Sequence, residues 1–562
     1  MEALERLLAL RPDFDADAGR RKLALLATLE RATLPDAAAV QALHEQLLFL
    51  AAYPVDERVK RVAERLLARF ARRRDLVRHR AELEGSGIVG TANRYPFFWP
   101  TASRLARRFP DRLAIDWESF DEAEDLRPLV LTALGPEELA WVREREPPVE
   151  EIVAALAGGD RRRAASTLLA RIAASPGDDF AHERLHDDVA PFYRLEAGTD
   201  IPSRTVDRAP RAAPARCAPP RRGRPDLAAE IGRPPREVIE VAPRSAARWV
   251  ELARDAMAVR SRDLDCFAYG DPRDVRRFVH DDGLEMVAIG STPERRLPLA
   301  TAYGVLTLRH GVPIGYVQLD GFLGTALVHF NTFDTFRGAD AAWVFARALA
   351  TARTLFGAEA FAIEPYQLGC GNDEALDSGA FWFYAKLGFA PLDRGIAALA
   401  RREKARFERV PRARSSRRTL ARLADGYLVL EPAGRPATVP PHAAIARATT
   451  AALAAESSDL ADARNRLAER AAALTGLAGV RRDAAERLWL GRWAPMLVSL
   501  PGIESWPVEE RRALGELVSL KAGRRESDLV RAWRDHPRAG AALLELGERF
   551  GAARDVARRH LR

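Results

Sequence analysis

Several short stretches of this chain carry side chains that could do chemistry. His182-Glu183-Arg184-Leu185-His186 satisfies H-E-x-x-H, in which two histidines four apart on a helix share a zinc ion and the glutamate activates water. The flanks oppose that use. Arg184 lies inside the motif and Asp187 and Asp188 follow it, whereas the zinc-binding helix of a peptidase is buried beneath its cleft and carries uncharged neighbours. Neither Glu196 nor Asp200 is fixed as a third ligand. A solvated helix is the preferred reading, with a zinc metallohydrolase as the alternative. Gly85 to Gly90 spells G-x-G-x-x-G, a dinucleotide fingerprint that needs a strand before it and a helix after it. Here the helical run ARRRDLVRHRAELE precedes it and YPFFWP follows, with prolines that stop a helix, so the loop does not read as a cofactor site. The aromatic group Tyr95, Phe97, Phe98 and Trp99 packs a domain interface or lines an acyl pocket. Cys217, Cys266 and Cys370 are the only cysteines. Their odd number and wide scatter fit neither a disulfide framework nor a zinc ribbon and suit a reducing compartment. Cys370, with no identifiable histidine partner, reads as a small buried thiol.

The elements that must position these groups come from a chain of 562 residues, 47% hydrophobic and 30% charged, a balance that builds packed cores and implies several domains. Residues 1–205 read as a mostly helical domain, with apolar spacing along Leu43, Leu47 and Leu50 and along Val59, Val62, Ala63, Leu66 and Leu67. Residues 206–235 read as a Pro/Arg-rich linker, because DRAPRAAPARCAPPRRGRP offers almost no large apolar side chain to bury. A second break is expected near Pro411 to Arg418. Residues 411–562 then read as a helical domain, as in the spacing of Leu460, Ala463, Leu467 and Ala471.

The formal net charge of +8 would ordinarily raise nucleic acid as a partner. Lysine occurs only at positions 22, 60, 386, 404 and 521, so nearly all basic charge is arginine in an alanine-rich chain. That is a compositional bias and gives no support for a nucleic-acid surface. No run of apolar residues is long enough to span a membrane. The opening MEALERLLALRPDFD mixes acidic residues with leucines, unlike a signal peptide, and a cytoplasmic protein without a membrane partner is expected.

The middle segment differs. Arg236 to Ala242 is β-prone and leads into a helix with apolar Trp249, Val250, Leu252, Ala253, Ala256 and Met257. Thr301 to Leu308, Ile314 to Leu319 and Thr325 to Phe333 read as an antiparallel meander with a turn at His310-Gly311-Val312-Pro313. Ala341 to Phe356 is a periodic helix, Phe361 to Ile363 a short strand, and Ser378 to Leu387 a helix stopped by Gly388.

With two further stretches, this order makes residues 236–410 resemble the GNAT superfamily of N-acetyltransferases. FRGADAAWVFARAL, Phe336 to Leu349, is similar to the family's acyl-CoA pyrophosphate loop, where backbone N–H groups left free at a helix start converge on phosphate. The resemblance assigns Phe336, Arg337, Gly338, Ala339, Asp340 and Ala341 to the cosubstrate. Asp340 stands where glycine is usual, which would set a carboxylate against the phosphate. A helix merely capped by Asp334, Thr335 or Asp340 is the other reading. DSGAFWFYAKLGF, Asp377 to Phe389, resembles the family's helix ending in a Leu-Gly-Phe turn, and implies that Tyr384 protonates the departing CoA thiolate as a general acid. Phe381, Trp382, Phe383 and Tyr384 cannot all face one core on a helix, so at least one should meet a cleft or another domain. A base is needed for an amine acceptor. His329, sharing a face with Asn331 on the strand before the loop, and Glu364 on the next strand are the candidates, and Glu364 is followed by Tyr366, Gln367 and Cys370 at the strand end.

The resemblance implies an α/β central domain with a mixed, mostly antiparallel sheet flanked by helices, carried between mostly helical N- and C-terminal domains. It also implies acetyl-CoA or another acyl-CoA as cosubstrate, no metal, and an amine-bearing acceptor of unspecified size. A catalytically degenerate scaffold on the same fold is the alternative function.

Overall fold

The computed structural model describes residues 1–559 except Asp121 and Pro411, with side chains as far as Gly551. Pro411, which opens the second expected break, therefore lies outside the described residues. Helix α1 (Ala37–Ala52) starts where the Asp36 carboxylate accepts a hydrogen bond from the Ala39 amide at 2.8 Å. It is buried along most of its circumference, as befits a helix that is apolar on nearly every side. Its partners explain why. Leu4 to Val89 share one hydrophobic core with residues 227–428 of the middle segment. Residues 97–201 build a separate core around a small three-stranded sheet of Asn93–Tyr95, Leu113–Ile115 and Tyr193–Leu195. The segment read as one domain, 1–205, is thus two packing units, and the first is continuous with the middle of the chain.

The expected linker is strapped down. The Ala209 amide donates to the Gly311 carbonyl, the Arg277 guanidinium to the Arg211 carbonyl, and Arg221 pairs with Asp282 at 3.0 Å. Polar bonds from the folded parts hold a segment that has no apolar surface of its own, and it ends in a short helix, Leu227–Gly232.

Among the described residues the main sheet has nine strands. In chain order they are β1 (Glu237–Glu240), β2 (Gly270–Val279), β3 (Leu284–Ser291), β4 (Thr301–Arg309), β5 (Val312–Phe322), β6 (Thr325–Thr332), β7 (Ala360–Ile363), β8 (Ala390–Pro391) and β9 (Leu428–Leu430). Their spatial order is β8-β9-β7-β6-β5-β4-β3-β2-β1. Among the described residues only β6 and β7 run parallel, and every other pair in this sheet is antiparallel. The turns between β4 and β5 and between β5 and β6 each hold two residues at positive φ, His310 (47°) with Gly311 (77°) and Leu323 (45°) with Gly324 (84°), the geometry that follows the twist of a hairpin.

Helix α2 (Pro243–Ala258) covers one face through Trp249 and Val250, and α3 (Ala341–Phe356), stopped by Gly357 at φ 69°, covers the other. The expected helix at Ser378 to Leu387 breaks at Gly379 (φ 66°), so that only α4 (Ala380–Leu387) carries the aromatic run. After β8 the chain leaves the sheet through a helix, Arg394–Arg409, and returns to insert β9 between β7 and β8. The boundary expected at residue 410 is therefore wrong: the sheet is complete only at Leu430.

Beyond it, α5 (His442–Glu456) and α6 (Ser527–Asp535) belong to a helical unit built on Trp489, Trp493 and Trp533, into which the end of β5 inserts Phe322 and the connection before β4 inserts Leu299. The architecture is mixed α/β, a large mostly antiparallel sheet with helical flanks. Among the described residues no helix is long and apolar enough to cross a membrane.

Candidate functional site

The parallel ladder of β6 and β7 is short. Thr325, Ala326 and Leu327 pair with Ala360, Phe361 and Ala362, after which the strands part. β6 runs on to Thr332, still paired with β5 on its other side, while β7 stops at Ile363 and gives way to Glu364 and Pro365. Proline opens a helical turn there and has no N–H to extend the ladder. Among the described residues the edge of β6 beyond Leu327 has no strand neighbour on this side, and side chains alternate across it. Val328 and Phe330 face α3, within the core that contains Phe345. Leu327 belongs to the opposite face, with Ala362 and Val429, and His329 follows it there.

On that face His329 is clamped. Its Nε2 lies 3.1 Å from Asp320 Oδ2, and its Nδ1 lies 3.0 Å from Glu364 Oε1. Asp320 comes from β5 and is further held by the Gln318 amide, 3.0 and 3.1 Å from its two oxygens. Burial alone would make His329 harder to protonate, but the hydrogen bonds and charges of Asp320 and Glu364 outweigh it and carry the imidazole up to about 10. Burial lowers the proton affinity of His442, at the start of α5, although Asp320 and Glu364 both pull it upward, and burial together with Glu364 raises that of Tyr427. The C-terminal unit thus reaches the same face.

The other face is aromatic. Phe345 of α3 packs edge-on against Phe330 at 5.3 Å and Tyr384 at 5.4 Å, and Phe383 stacks on Phe330 at 6.4 Å. The four consecutive aromatics of α4 spread around the helix as their spacing requires. Phe381 and Tyr384 are buried, while Trp382 turns to Phe407 at 5.0 Å and donates to the Ser415 hydroxyl. The Tyr384 hydroxyl has no hydrogen-bond partner among the described residues, and burial raises its pKa, which keeps the phenol protonated.

Compared with protein-family models, curated proteins and solved structures, the chain has no match. Its chemistry has to be read from its own residues.

The loop before α3 is the third component. The amides of Gly338, Asp340, Ala341 and Ala342 bond to no described residue. Gly338 holds φ at 80° with open space where a Cβ would stand. Asp340 sits at the N-cap position but caps nothing. Its carboxylate turns inward, accepts a 2.7 Å hydrogen bond from the Tyr53 hydroxyl and pairs with Arg309. The reading of Asp340 as a side-chain helix cap is therefore corrected: a buried cation and a phenol hold its carboxylate. Arg337 is held by Glu374 and by Asp334 at 3.0 Å.

Beside the loop lies a cavity of about 1130 Å³ lined by Arg11, Phe49, Arg221, Arg222 and Trp343 as well as by Gly338 to Ala342. Arg11 stacks on Phe49 at 3.9 Å, and Arg221 lies 5.2 Å from the Trp343 ring. These arginines come from the N-terminal helices and the strap. Free amides at a helix start, next to guanidinium groups and aromatic faces, are suited to a phosphate-bearing ligand with a flat ring.

The remaining motifs are occupied differently. His186 contacts Asp187 at 2.8 Å and the Tyr193 hydroxyl at 2.9 Å through its two nitrogens, His182 lies 3.2 Å from the Ser175 hydroxyl, and Glu183 pairs with Arg295. Among the described residues no three histidine, cysteine or acidic side chains gather as a metal site. Gly87, at φ 69°, lies so close to the Val259 carbonyl that a Cβ would stand 2.4 Å from it, so this glycine loop is a packing contact. Phe97 and Trp99 belong to the core of residues 97–201. Cys266 is buried, and Cys370 is exposed where a buried thiol was expected. Asp320, Arg309, Tyr53 and Arg11 were not anticipated. Only the sheet register and the docking of α1 bring them in, and no local motif marks them.

Proposed function

We propose that this chain is an acyl-CoA-dependent N-acyltransferase, with acetyl-CoA or a longer acyl-CoA as cosubstrate and an amine as acceptor. The observation that carries this reading is the parting of β6 from β7, with free amides and arginines at the start of α3, the Tyr384 phenol on one face and the Asp320–His329–Glu364 cluster on the other. A pyrophosphate would be stabilised by the amides of Gly338, Asp340, Ala341 and Ala342 and by the helix dipole. An extended, amide-bearing arm can add to an unpaired strand edge such as that of β6. Tyr384, buried and kept protonated, would donate its proton to sulfur as the thioester breaks.

Isothermal titration of acetyl-CoA and longer acyl-CoAs tests binding, and thioester loss with a simple primary amine tests turnover. Tyr384→Phe should leave acyl-CoA affinity nearly unchanged and lower turnover by about 10² to 10⁴, the usual loss on removing a positioned general acid. Absence of heat with every acyl-CoA would overturn the enzyme reading and favour a non-catalytic scaffold on this fold.

A further inference from the structure

Resting on that reading, we propose that Glu364 is the general base of the acyl transfer and that His329, ion-paired between Asp320 and Glu364, is its positioning residue, so that the acceptor is a cationic amine arriving on the sheet face opposite Tyr384.

Carboxylates only accept hydrogen bonds, whereas a neutral imidazole has one N–H. A ring whose two nitrogens lie 3.1 and 3.0 Å from carboxylate oxygens of Asp320 and Glu364 is favoured as the imidazolium by both anions. It has no lone pair left for a substrate proton, and this removes His329 as the base. The two carboxylates are not equivalent. Both oxygens of Asp320 lie within hydrogen-bond distance of the Gln318 amide, and the side chain is 11% exposed. Glu364 is 30% exposed, and only its Oε1 is engaged by a described residue, leaving Oε2 to take a proton where the strands separate. One cation between two anions leaves the cluster with a net charge of −1, which favours an ammonium-bearing acceptor.

The reaction then balances. The acceptor nitrogen bonds to the thioester carbonyl carbon and the C–S bond breaks. The ammonium first gives one proton to Glu364 Oε2, which frees the lone pair that attacks; the nitrogen's second proton passes to water as the amide forms, and sulfur leaves with the Tyr384 proton. Exchange with water afterwards restores both side chains. The groups that set the titration of His329 are Asp320 from β5 and Glu364 at the end of β7; Gln318 holds Asp320, Tyr427 before β9 feels the charge of Glu364, and His442 of α5 feels the charges of both carboxylates. The Cys266 thiol, buried near Asp320, completes the surroundings.

The test uses the full chain, acetyl-CoA and n-butylamine, together with NMR of ¹³C,¹⁵N-histidine-labelled protein in which the His329 signal is assigned by its loss in His329→Gln. His329 should stay doubly protonated at pH 8, and in Asp320→Asn its titration should move down by at least one pH unit. Glu364→Gln should lower kcat by about 10² to 10⁴ with acetyl-CoA affinity unchanged. His329→Gln should lower kcat by roughly 10-fold and move the acidic limb of the pH profile upward, because a carboxylate that loses a neighbouring cation binds its proton more tightly. A merely structural histidine would leave that limb in place. If His329→Gln does not fold, Asp320→Asn tests the same limb with the opposite sign, because a carboxylate that loses a neighbouring anion binds its proton less tightly and the limb moves downward. A His329 that titrates at or below pH 7, or turnover that depends on Tyr384 but not on Glu364, overturns this inference and leaves the acyltransferase reading standing. Failure to bind any acyl-CoA overturns both.

Discussion

Two clusters of charge flank the same strand-helix-strand unit, and they are completed to different degrees. At the start of α3, Asp340 is 3% and Arg309 4% exposed, and both oxygens of Asp340 are taken, one by Tyr53 and one by Arg309. Arg309 also lies 4.9 Å from the Tyr53 ring. Where β6 and β7 part, Asp320 and His329 are just as fully engaged, but Glu364 keeps an oxygen with no described partner. Removing charges from water is costly unless each finds its complement. The first cluster meets that condition and is committed to joining α1 to the sheet. The second stops one bond short, and the unused oxygen is where a proton can go.

That contrast can be broken by experiment. The largest effect is expected from Arg309→Met, which leaves Asp340 buried without its cation. Loss of one partner of a buried pair costs about 3–5 kcal/mol, read from the urea midpoint, and a loss below about 1 kcal/mol would mean that the cluster is not the joint described. Asp340→Gly should act in the same direction, since it strands Arg309. Tyr53→Phe removes only the hydrogen bond to the carboxylate and should cost about 1–3 kcal/mol.

The second cluster should show itself through pH. His329 is held at about 10 in the folded chain, against 6.5 for an unperturbed imidazole. A raised value means that the proton favours the folded state, so this stabilisation is complete below about pH 6.5 and is lost as pH rises to about 10. The melting temperature of the wild type should fall across that window more steeply than that of His329→Gln, and equal slopes would contradict the clamp. The smallest effect concerns the arginine-rich segments. Limited trypsin digestion should cut first at exposed Arg409, Arg412 and Arg414 and later at Arg208 to Arg221, whose segment is tied down by hydrogen bonds. Early cutting in the strap would show that those bonds do not hold it.

Much of the sheet could be read from local pattern. Thr301 to Leu308, Ile314 to Leu319 and Thr325 to Phe333 anticipate β4, β5 and β6 within a few residues, because alternating apolar runs between turn residues are a local signal. The helix Ala341 to Phe356 is found with both its ends. β2 escaped because Arg273, Asp274, Arg276 and Arg277 look like a solvated stretch. Their partners, Asp271, Tyr303, Ser527 and Glu285, include residues that lie far along the chain. β9 escaped because three residues, Leu428 to Leu430, make no periodicity. Of the site, Tyr384, His329, Glu364 and the loop from Phe336 were named from sequence, but their relations were not. Asp320 reaches His329 only diagonally, since the register sets Gln318 opposite His329 and Asp320 opposite Leu327, and register is a property of the folded sheet.

The insertion of β9 also bears on how the molecule can be made. As the chain leaves the ribosome, β7 emerges with one flank against β6 and the other bare, because its second neighbour is synthesised some sixty residues later. A bare strand flank readily recruits foreign strands, and domains emerging from synthesis are exposed to that hazard until they close. The strand that carries the candidate catalytic carboxylate at its tip is therefore sealed late. A nascent chain halted near residue 410 should prove adhesive where one extended past Leu430 does not.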